Sequence, residues 1–232
     1  MGALPADATS AAPPFRAPAL VLALLSLTAG FADGYALTVA DVFVANQSGN
    51  VVRIGMGAVG EYPAWDLALL SMLGFAAGGM ASWLLARAGD ARHLPVPVMR
   101  LLAVVVLVLA WWLAVIGVDE RQESARLSAF VGAAAMGVVA TILTRVSGVS
   151  AQPAFQSANV LSSAQGLLAW ASHSDPEHRT GRRLVALGGM TLACYALGGG
   201  LGAVAARTSA SALLVVLALL IGCLLLARRS AK

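Results

Sequence analysis

The chain has 232 residues, of which 59% are hydrophobic and 11% charged, and its mean hydropathy is +0.82. A soluble domain carries roughly 25% charged residues, so there is too little polar surface to coat a water-soluble globule, and composition points to an integral membrane protein. The net charge of +4 rests on 15 basic residues, 14 of them arginine; no basic run interleaved with aromatics supports nucleic-acid binding, and the arginines read as flanks of membrane helices.

Residues 1–16 are rich in Ala and Pro and read as a disordered tail. Ala6 stands where myristoylation wants Ser or Thr. Arg16 precedes an apolar run, and Gly30-Phe31-Ala32 has the form of a cleavage site, but apolar character resumes past Ala32 and argues against a removed signal. A membrane-crossing helix needs about 20 mainly apolar residues. Six stretches qualify: 17–40, 64–86, 97–118, 127–147, 183–206 and 210–227. Charged and proline-bearing connections separate them, near Asp90 to Pro97, at Asp119 to Glu123 and at His173 to Arg179. Cys194 and Cys223 lie in separate apolar stretches without metal-ligand spacing, and read as buried small hydrophobes rather than a disulfide.

Two more stretches are too polar to cross comfortably and too apolar for ordinary loops. They are 42–60, which holds Ala45-Asn46-Gln47-Ser48-Gly49-Asn50, and 148–171. Irregular backbone at membrane depth is tolerated only where protein or a wet cavity covers it, so both are candidate re-entrant elements. They also resemble each other: Gln47 to Val51 reads QSGNV and Gln156 to Val160 reads QSANV. The helices that follow agree too, with Gly74–Arg87 laid over Cys194–Arg207, pairing Phe75 with Tyr195 and Gly78-Gly79 with Gly198-Gly199. Two matches in the same order predict an internal duplication.

The topology follows by counting. With re-entrant polar stretches each half has three spans and the second copy is inverted; with crossing ones each half has four and the copies are parallel. Arginine counts support a cytoplasmic N-terminus in both schemes and do not separate them. The density of Asn46, Gln47, Ser48, Asn50 and Arg53 argues against a lipid-facing crossing and favours six spans. The fold expected is therefore an all-α integral membrane protein with about six transmembrane helices, two re-entrant or broken half-helices and two inverted pseudo-repeats. After the tail, the first membrane repeat covers 17–118, a connecting loop 119–126, the second repeat 127–228 and a basic end 229–232.

A half-helix starting near Ser48 would dip to the midplane and aim free N–H groups at it, favouring anions or polar acceptors. Asn46 or Ser48 would cap that turn and Gly49 permits close backbone approach. The second half brings a matching end at Ser157, with Pro153 upstream. The candidate solute site therefore comprises Asp33, Asn46, Ser48, Gly49, Asn50, Gln156, Ser157 and Asn159. Asp33, Arg53 and Arg145 are intramembrane charges, which usually face a cavity or a partner. An Asp33–Arg145 pair, or Asp33 as a proton or cation site, are readings for the first. Snorkelling to the interface is the simpler reading for Arg53, and with it Asp41. The GxxxG pairs Gly74/Gly78 and Gly198/Gly202 allow close packing, within the fold or in a homo-oligomer. Trp65, Trp111 and Trp112 read as packing or interfacial anchors. No HExxH, GxSxG or P-loop is present, so no enzyme activity, metal or cofactor is expected. His93, His173 and His178 fall in expected loops.

The segment LTAGFADGYALTVADVFVANQSGNVVRIGMG resembles the N-terminal hallmark of the YoaK family, also called DUF1275, bacterial multi-pass membrane proteins. The family pattern is a G-x-x-D-A-like turn, then F-V-x-N-x-T-G-N and an apolar helix. Gly30, Asp33, Phe43, Val44, Asn46, Gly49 and Asn50 match it, with Ser48 for the threonine and Gly34 for the alanine. The second half departs from the family's M-G-x-Q-N stretch, because Met136-Gly137 is followed by Val138-Val139-Ala140, and Ser157-Ala158 replaces its T-G pair. The resemblance implies a bacterial inner-membrane location and names no substrate. The function expected is a transporter or channel-like permease for a small polar or anionic solute. The alternative is a non-transporting membrane scaffold or assembly partner, with the lipid bilayer as surrounding in either case.

Overall fold

The computed structural model describes residues 14–92, 95–118, 121–172 and 174–227. Residues 1–13 of the expected tail 1–16, the loop residues Asp119 and Glu120, His93, Leu94, His173, Arg228 and the basic end 229–232 lie outside the described residues; the last residues of the expected tail are ordered instead, with Phe15 buried and bridged to Ala227 and the Arg16 N–H on the Leu226 carbonyl. The described chain is all-helical apart from one small hairpin. Helix α1 is Pro18–Ala40, α2 is Gln47–Ala58, α3 is Trp65–Arg92 and α4 is Val96–Gly117. Helix α5 (Arg121–Leu127), a π-helical turn (Ser128–Gly132) and α6 (Ala133–Val139) follow without a break. A two-stranded hairpin pairs Arg145–Val146 with Val149–Ser150. Then come α7 (Gln156–Trp170), α8 (Asp175–Ala205), a 3-10 turn (Ala210–Leu213) and α9 (Leu214–Leu225). Four helices are long and apolar enough to cross a membrane: α1, α3 over Trp65–Gly89, α4 and α8. Prolines open three of them, at Pro18, Pro97 and Pro176, where a missing N–H removes no helical bond.

Three boundaries differ from the sequence expectation. The charged connection 119–126 becomes helix from Arg121. The fourth stretch ends at Val139 rather than 147: the helix closes in i→i+3 turns, with the N–H groups of Thr141 and Ile142 on the carbonyls of Val138 and Val139, and Ser147 and Gly148, both at positive φ (53° and 84°), then turn the chain as a two-residue hairpin between Val146 and Val149. The loop around 172–182 contracts, since α8 already starts at Asp175 with Pro176 and Glu177 in its first turn, a favourable arrangement at the positive end of a helix. His178 is therefore an exposed helix residue rather than a loop residue.

Helix α1 is the central element: 67% of its span is buried, against 28% or less for the other three long helices. It packs most extensively on α8, and α3 packs most extensively on α6, so each half of the chain embraces the other. Glycines set both crossings. A Cβ on Gly30 or Gly34 would overlap the carbonyl of Tyr195 or Gly199, and one on Gly74 or Gly78 would overlap that of Phe130 or Ala134. Gly198 and Gly202 face Leu27 and Phe31 in the same way. Both GxxxG pairs are thus covered within the chain. Residue numbers rise together across each crossing, so α1 runs parallel to α8, and α3 parallel to α6.

This defines two ends of the molecule. The proximal end holds the start of α1, the start of α8, the hairpin and the bridge between Phe15 and Ala227 that brings both described chain ends together. The distal end holds the end of α1 and the start of α3, tied to α5 by Arg126 and Asp66 at 4.0 Å. Trp111 is the largest fully buried side chain; it meets Tyr35 edge-on at 5.8 Å and covers Gly132 of the π turn. Trp65 packs over Gly57. Cys194 and Cys223 are free.

Candidate functional site

Asp41 ends α1 in a left-handed conformation, which its short polar side chain tolerates. The chain then turns back along α1, and residues 44–46 reach Asp33. Eight residues separate Asp33 from Asp41, about 12 Å of helix. From there α2 climbs away again. Arg53 on α2 pairs with Asp41 at 3.1 Å, and Tyr62 beyond α2 donates to Asp41. Both ends of the segment 41–62 therefore meet at the distal end, and α2 begins well below it. Arg53 lies between the rings of Phe43 and Tyr62, at 4.8 and 5.4 Å from their centroids. Burial, and then the Asp41 carboxylate, push the Tyr62 phenol from its ordinary 10 up to about 12.

The second break behaves the same way from the other end. Arg183 of α8 donates to the carbonyl of Ser147 at the hairpin tip, 3.3 Å away. Helix α7 runs antiparallel to the first half of α8: Gly181 abuts Trp170, Gly166 abuts Leu184 and Gly188 abuts Ser163. Gly188, thirteen residues or roughly 20 Å into α8, abuts Ser163 and the Asn159 carbonyl, so the start of α7, about one turn further on, lies near the middle of the 31-residue α8. The segment 140–174 thus leaves and regains the proximal end.

The two helix starts carry the same hydrogen bonds. Asn50 accepts from the Phe43 N–H at 3.1 Å and donates to the Phe43 carbonyl at 2.6 Å and to Gln47 at 2.8 Å. Asn159 accepts from the Gln152 N–H at 3.3 Å and donates to the Gln152 carbonyl at 2.7 Å and to Gln156 at 3.3 Å. Gln47 donates to Val44, and Gln156 to Pro153. Each asparagine amide acts as a strand-like partner for the backbone seven residues upstream, satisfying groups that a broken helix leaves unpaired.

The halves differ in how each helix start is tied to its surroundings. Asp33 accepts from the N–H groups of Val44 (2.7 Å), Ala45 (2.6 Å) and Asn46 (3.0 Å), and from the Tyr195 hydroxyl of α8. Ser71 of α3 donates to the Phe43 carbonyl and accepts from Gln47 and Asn50. At the second break Pro153 replaces Val44 and has no N–H, residues 138–143 at and just past the end of α6 hold no carboxylate, and Phe75 stands where the helix alignment has Tyr195. Thr191, at the Ser71 position, bonds back to Gly188 of its own helix. The N–H groups of Ala154 and Phe155 have no acceptor among the described residues.

A cavity of about 280 Å³ lies between the two helix starts, lined by residues 45–48, residues 154–158 and Phe75. Of the residues expected from the sequence, Asn46, Ser48, Gln156 and Ser157 line it. Asn50 and Asn159 are buried behind it, and Gly49 lies under the Phe43 ring. Asp33 is buried, and its four donors occupy both carboxylate oxygens. Arg145 is exposed on the hairpin and does not pair with Asp33, while Arg53 sits at the distal rim. The Asn46 side chain does not cap α2 but accepts from Ser48 at 2.7 Å. The sequence reading missed Gln47, Ser71, Phe75, Phe155 and Tyr195 as parts of the site. Gln47 was legible, since it occupies the Gln156 position in the QSxNV match. Among the described residues no group of three His, Cys, Asp or Glu side chains is placed to hold a metal ion.

A family model described as "Protein of unknown function (DUF1275)" matches residues 21–227, and the chain belongs to that family. No curated protein and no solved structure matches it. Family membership, together with the four long apolar helices, makes this a multi-pass membrane protein.

Proposed function

We propose that this DUF1275 protein is a permease, not an enzyme, that binds a small polar or anionic solute between α2 and α7. In this reading the chain crosses the membrane six times as two inverted, intertwined repeats. The fourth crossing is the continuous path from Arg121 to Val139 and the sixth is the 3-10 turn with α9. Segments 41–62 and 140–174 re-enter from opposite faces. The observation that carries the reading is the shared cavity, lined by two helix starts approached from opposite ends. Half the hydrocarbon core is about 15 Å; the start of α2 lies roughly 12 Å from its end of the molecule and that of α7 near the middle of the 31-residue α8, which suits two helix starts near the midplane. Half-helix N-termini at that depth, around a cavity, are a recurrent way to bind a solute in transporters.

The electrostatics favour one orientation of the solute. The positive end of α2 already faces the Asp33 carboxylate, whereas the start of α7 has open N–H groups and no carboxylate. The negative or acceptor end of a solute belongs at residues 154–157, with Ser48 and Asn46 opposite. The volume of about 280 Å³ falls just below the usual pocket range of roughly 300–1,000 Å³, which fits an ion or a few-carbon solute and not a lipid. Asp33 is a positioning residue in this scheme, holding the α2 wall from behind. The accumulation of arginine at the proximal end supports a cytoplasmic location for it, and so for both chain ends, in a bacterial inner membrane.

Single cysteines at positions 48 and 157, in a Cys194→Ser/Cys223→Ser background, test the wet cavity with a membrane-impermeant maleimide. Labelling at both positions is expected; two unreactive cysteines would remove the binding site. Proteoliposome flux of chloride, nitrate, formate and acetate then tests transport. Ser157→Leu, which fills the cavity without touching the Gln156–Asn159 bonds, is expected to abolish any flux the unaltered protein supports. Unchanged flux in that variant rejects the pathway.

A further inference from the structure

The first break shows what its backbone turn binds when a carboxylate is at hand. The N–H groups of Ala45 and Asn46 end on the two oxygens of Asp33, at 2.6 and 3.0 Å. In the QSxNV match these residues correspond to Ala154 and Phe155, whose N–H groups have no acceptor among the described residues. The glycine crossings locate the counterpart of Asp33 itself. A Cβ on Gly30 would overlap the Tyr195 carbonyl and one on Gly137 the Phe75 carbonyl, so Gly137 matches Gly30 and, three residues on, Ala140 matches Asp33. The second break thus has the same turn without the carboxylate.

The open turn faces a space with apolar walls and no ion. Ala154, Phe155 and Phe75 all line the cavity, with Ala45 and Ala158. The other lining residues carry amides and hydroxyls, and none is charged. Both Asp33 oxygens are already taken, and Arg53 is held by Asp41 at the distal rim. An ammonium group on the solute would therefore find no anion, and a second negative charge no cation, where an unpaired charge is costly. At about 280 Å³ the cavity is several times the roughly 30 Å³ share of one water. A bare halide would leave water standing against the phenylalanines and alanines.

We propose that the solute is a short-chain monocarboxylate. Its carboxylate takes at Ala154 and Phe155 the place that the Asp33 side chain takes at Ala45 and Asn46, and its apolar body lies against Phe75 and Phe155. The substitution of Phe75 for Tyr195 fits this division, since it exchanges a hydroxyl for an apolar ring. The inference rests on the reading of the cavity as a solute site and narrows that site to one class, excluding inorganic anions, dicarboxylates and zwitterions.

The test is protection of a single cysteine in the full chain, purified in detergent. Ala158→Cys, in the Cys194→Ser/Cys223→Ser background, reports on the cavity wall by its rate of maleimide labelling at fixed pH and ionic strength. Butyrate is expected to halve that rate at about fifteenfold lower concentration than acetate, because each buried methylene is worth about fourfold. Chloride, succinate and γ-aminobutyrate should need at least as much as acetate. Ala140→Asp, which hands the turn an internal carboxylate, should abolish protection while labelling persists. Equal potency of acetate and butyrate overturns the proposal. So does protection by chloride, succinate or γ-aminobutyrate at the butyrate concentration, or undiminished protection in Ala140→Asp. A reactive cysteine that no anion protects overturns it too, and leaves the wet cavity standing; an unreactive one removes the solute site with it. Should Ala140→Asp fail to fold, Phe155→Ala reads the apolar wall. That variant should bring acetate and butyrate to within about threefold of each other, and an unchanged ratio overturns the proposal.

Discussion

Replacing Asp33 by Asn tests whether its carboxylate is the anchor of α2. The substitution keeps the shape and turns one acceptor oxygen into a donor. Whichever way the amide is placed, its NH2 meets at least one backbone N–H of residues 44–46. The Tyr195 hydroxyl can rotate to accept, but a backbone N–H cannot. One buried N–H loses its acceptor, at about 1–3 kcal/mol, and the remaining bonds fall from the charged range of about 1.5–3 kcal/mol toward the neutral range of about 0.5–1.5. Relief from burying a charge offsets part of this. The expected net loss is about 2–4 kcal/mol, with about 1.5–3 kcal/mol for Tyr195→Phe. The assay is unfolding of the purified protein in mixed micelles by SDS titration, followed by helicity. Because the two residues share a bond, the double variant should lose at least about 1 kcal/mol less than the sum of the singles. An Asp33→Asn protein within about 0.5 kcal/mol of the unaltered one, smaller than a single hydrogen bond, refutes the anchoring role.

Other consequences are as direct. Asn50→Ala should destabilise more than Asn159→Ala in the same titration, because only Asn50 also donates to Ser71 on a neighbouring helix; equal losses would deny that tie any weight. Gly198→Ala should cost about 1–3 kcal/mol by overpacking, since its Cβ would overlap the Leu27 carbonyl, while Gly200→Ala, two residues on with nothing within 4 Å, should be neutral or better. For Tyr62 the raised pKa means that the protonated, donating form is the one held. Its contribution is complete below pH 10 and lost as pH rises through about 12. The difference in 295 nm absorbance between the unaltered protein and Tyr62→Phe should therefore stay flat from pH 9 to 11, and a step near 10 counts against the Asp41 clamp. Hydrogen exchange should be faster at the start of α7 than at the start of α2, which bonds to Asp33 of α1 and Ser71 of α3; slower exchange at the start of α7 would contradict that difference in tethering.

The breaks were legible because polarity inside apolar sequence has few explanations. Gln47 as the first residue of α2 lies one position from the expected start, and the QSxNV match paired the two asparagines, but it assigned them to the solute site, whereas their bonds to the backbone seven residues upstream appear only in the fold. The sequence offered Arg145 as a partner for Asp33 and did not show the donors Asp33 has, for a geometric reason. Its donors are backbone N–H groups eleven to thirteen residues away and a hydroxyl on α8, so its job appears only once the chain has doubled back and α8 lies along α1. Apolarity alone likewise could not keep residues 145–150 out of the helix, since Val146 and Val149 suit a helix or a strand equally and only the Ser147-Gly148 turn decides. The start of α8 was different: Ser174-Asp175-Pro176-Glu177 is a helix-opening pattern that its charge disguised as a loop.

On the proposed duplication, the loss of the carboxylate from one half has a physical logic. Two half-helices that open on one small cavity each present a partial positive charge. Were both neutralised from within, the cavity would offer a solute only side-chain amides and hydroxyls. Were neither, two positive ends would face each other across a space barely wider than a few water molecules. Filling one end with Asp33 and leaving the other to Pro153, Phe75 and open N–H groups gives the site a single electropositive wall. Tyr195 and Phe75 follow the same division: a hydroxyl is present where there is a carboxylate to hold and absent where there is none. In the proposed permease, this asymmetry is what would turn a symmetric pair of breaks into a site with a direction.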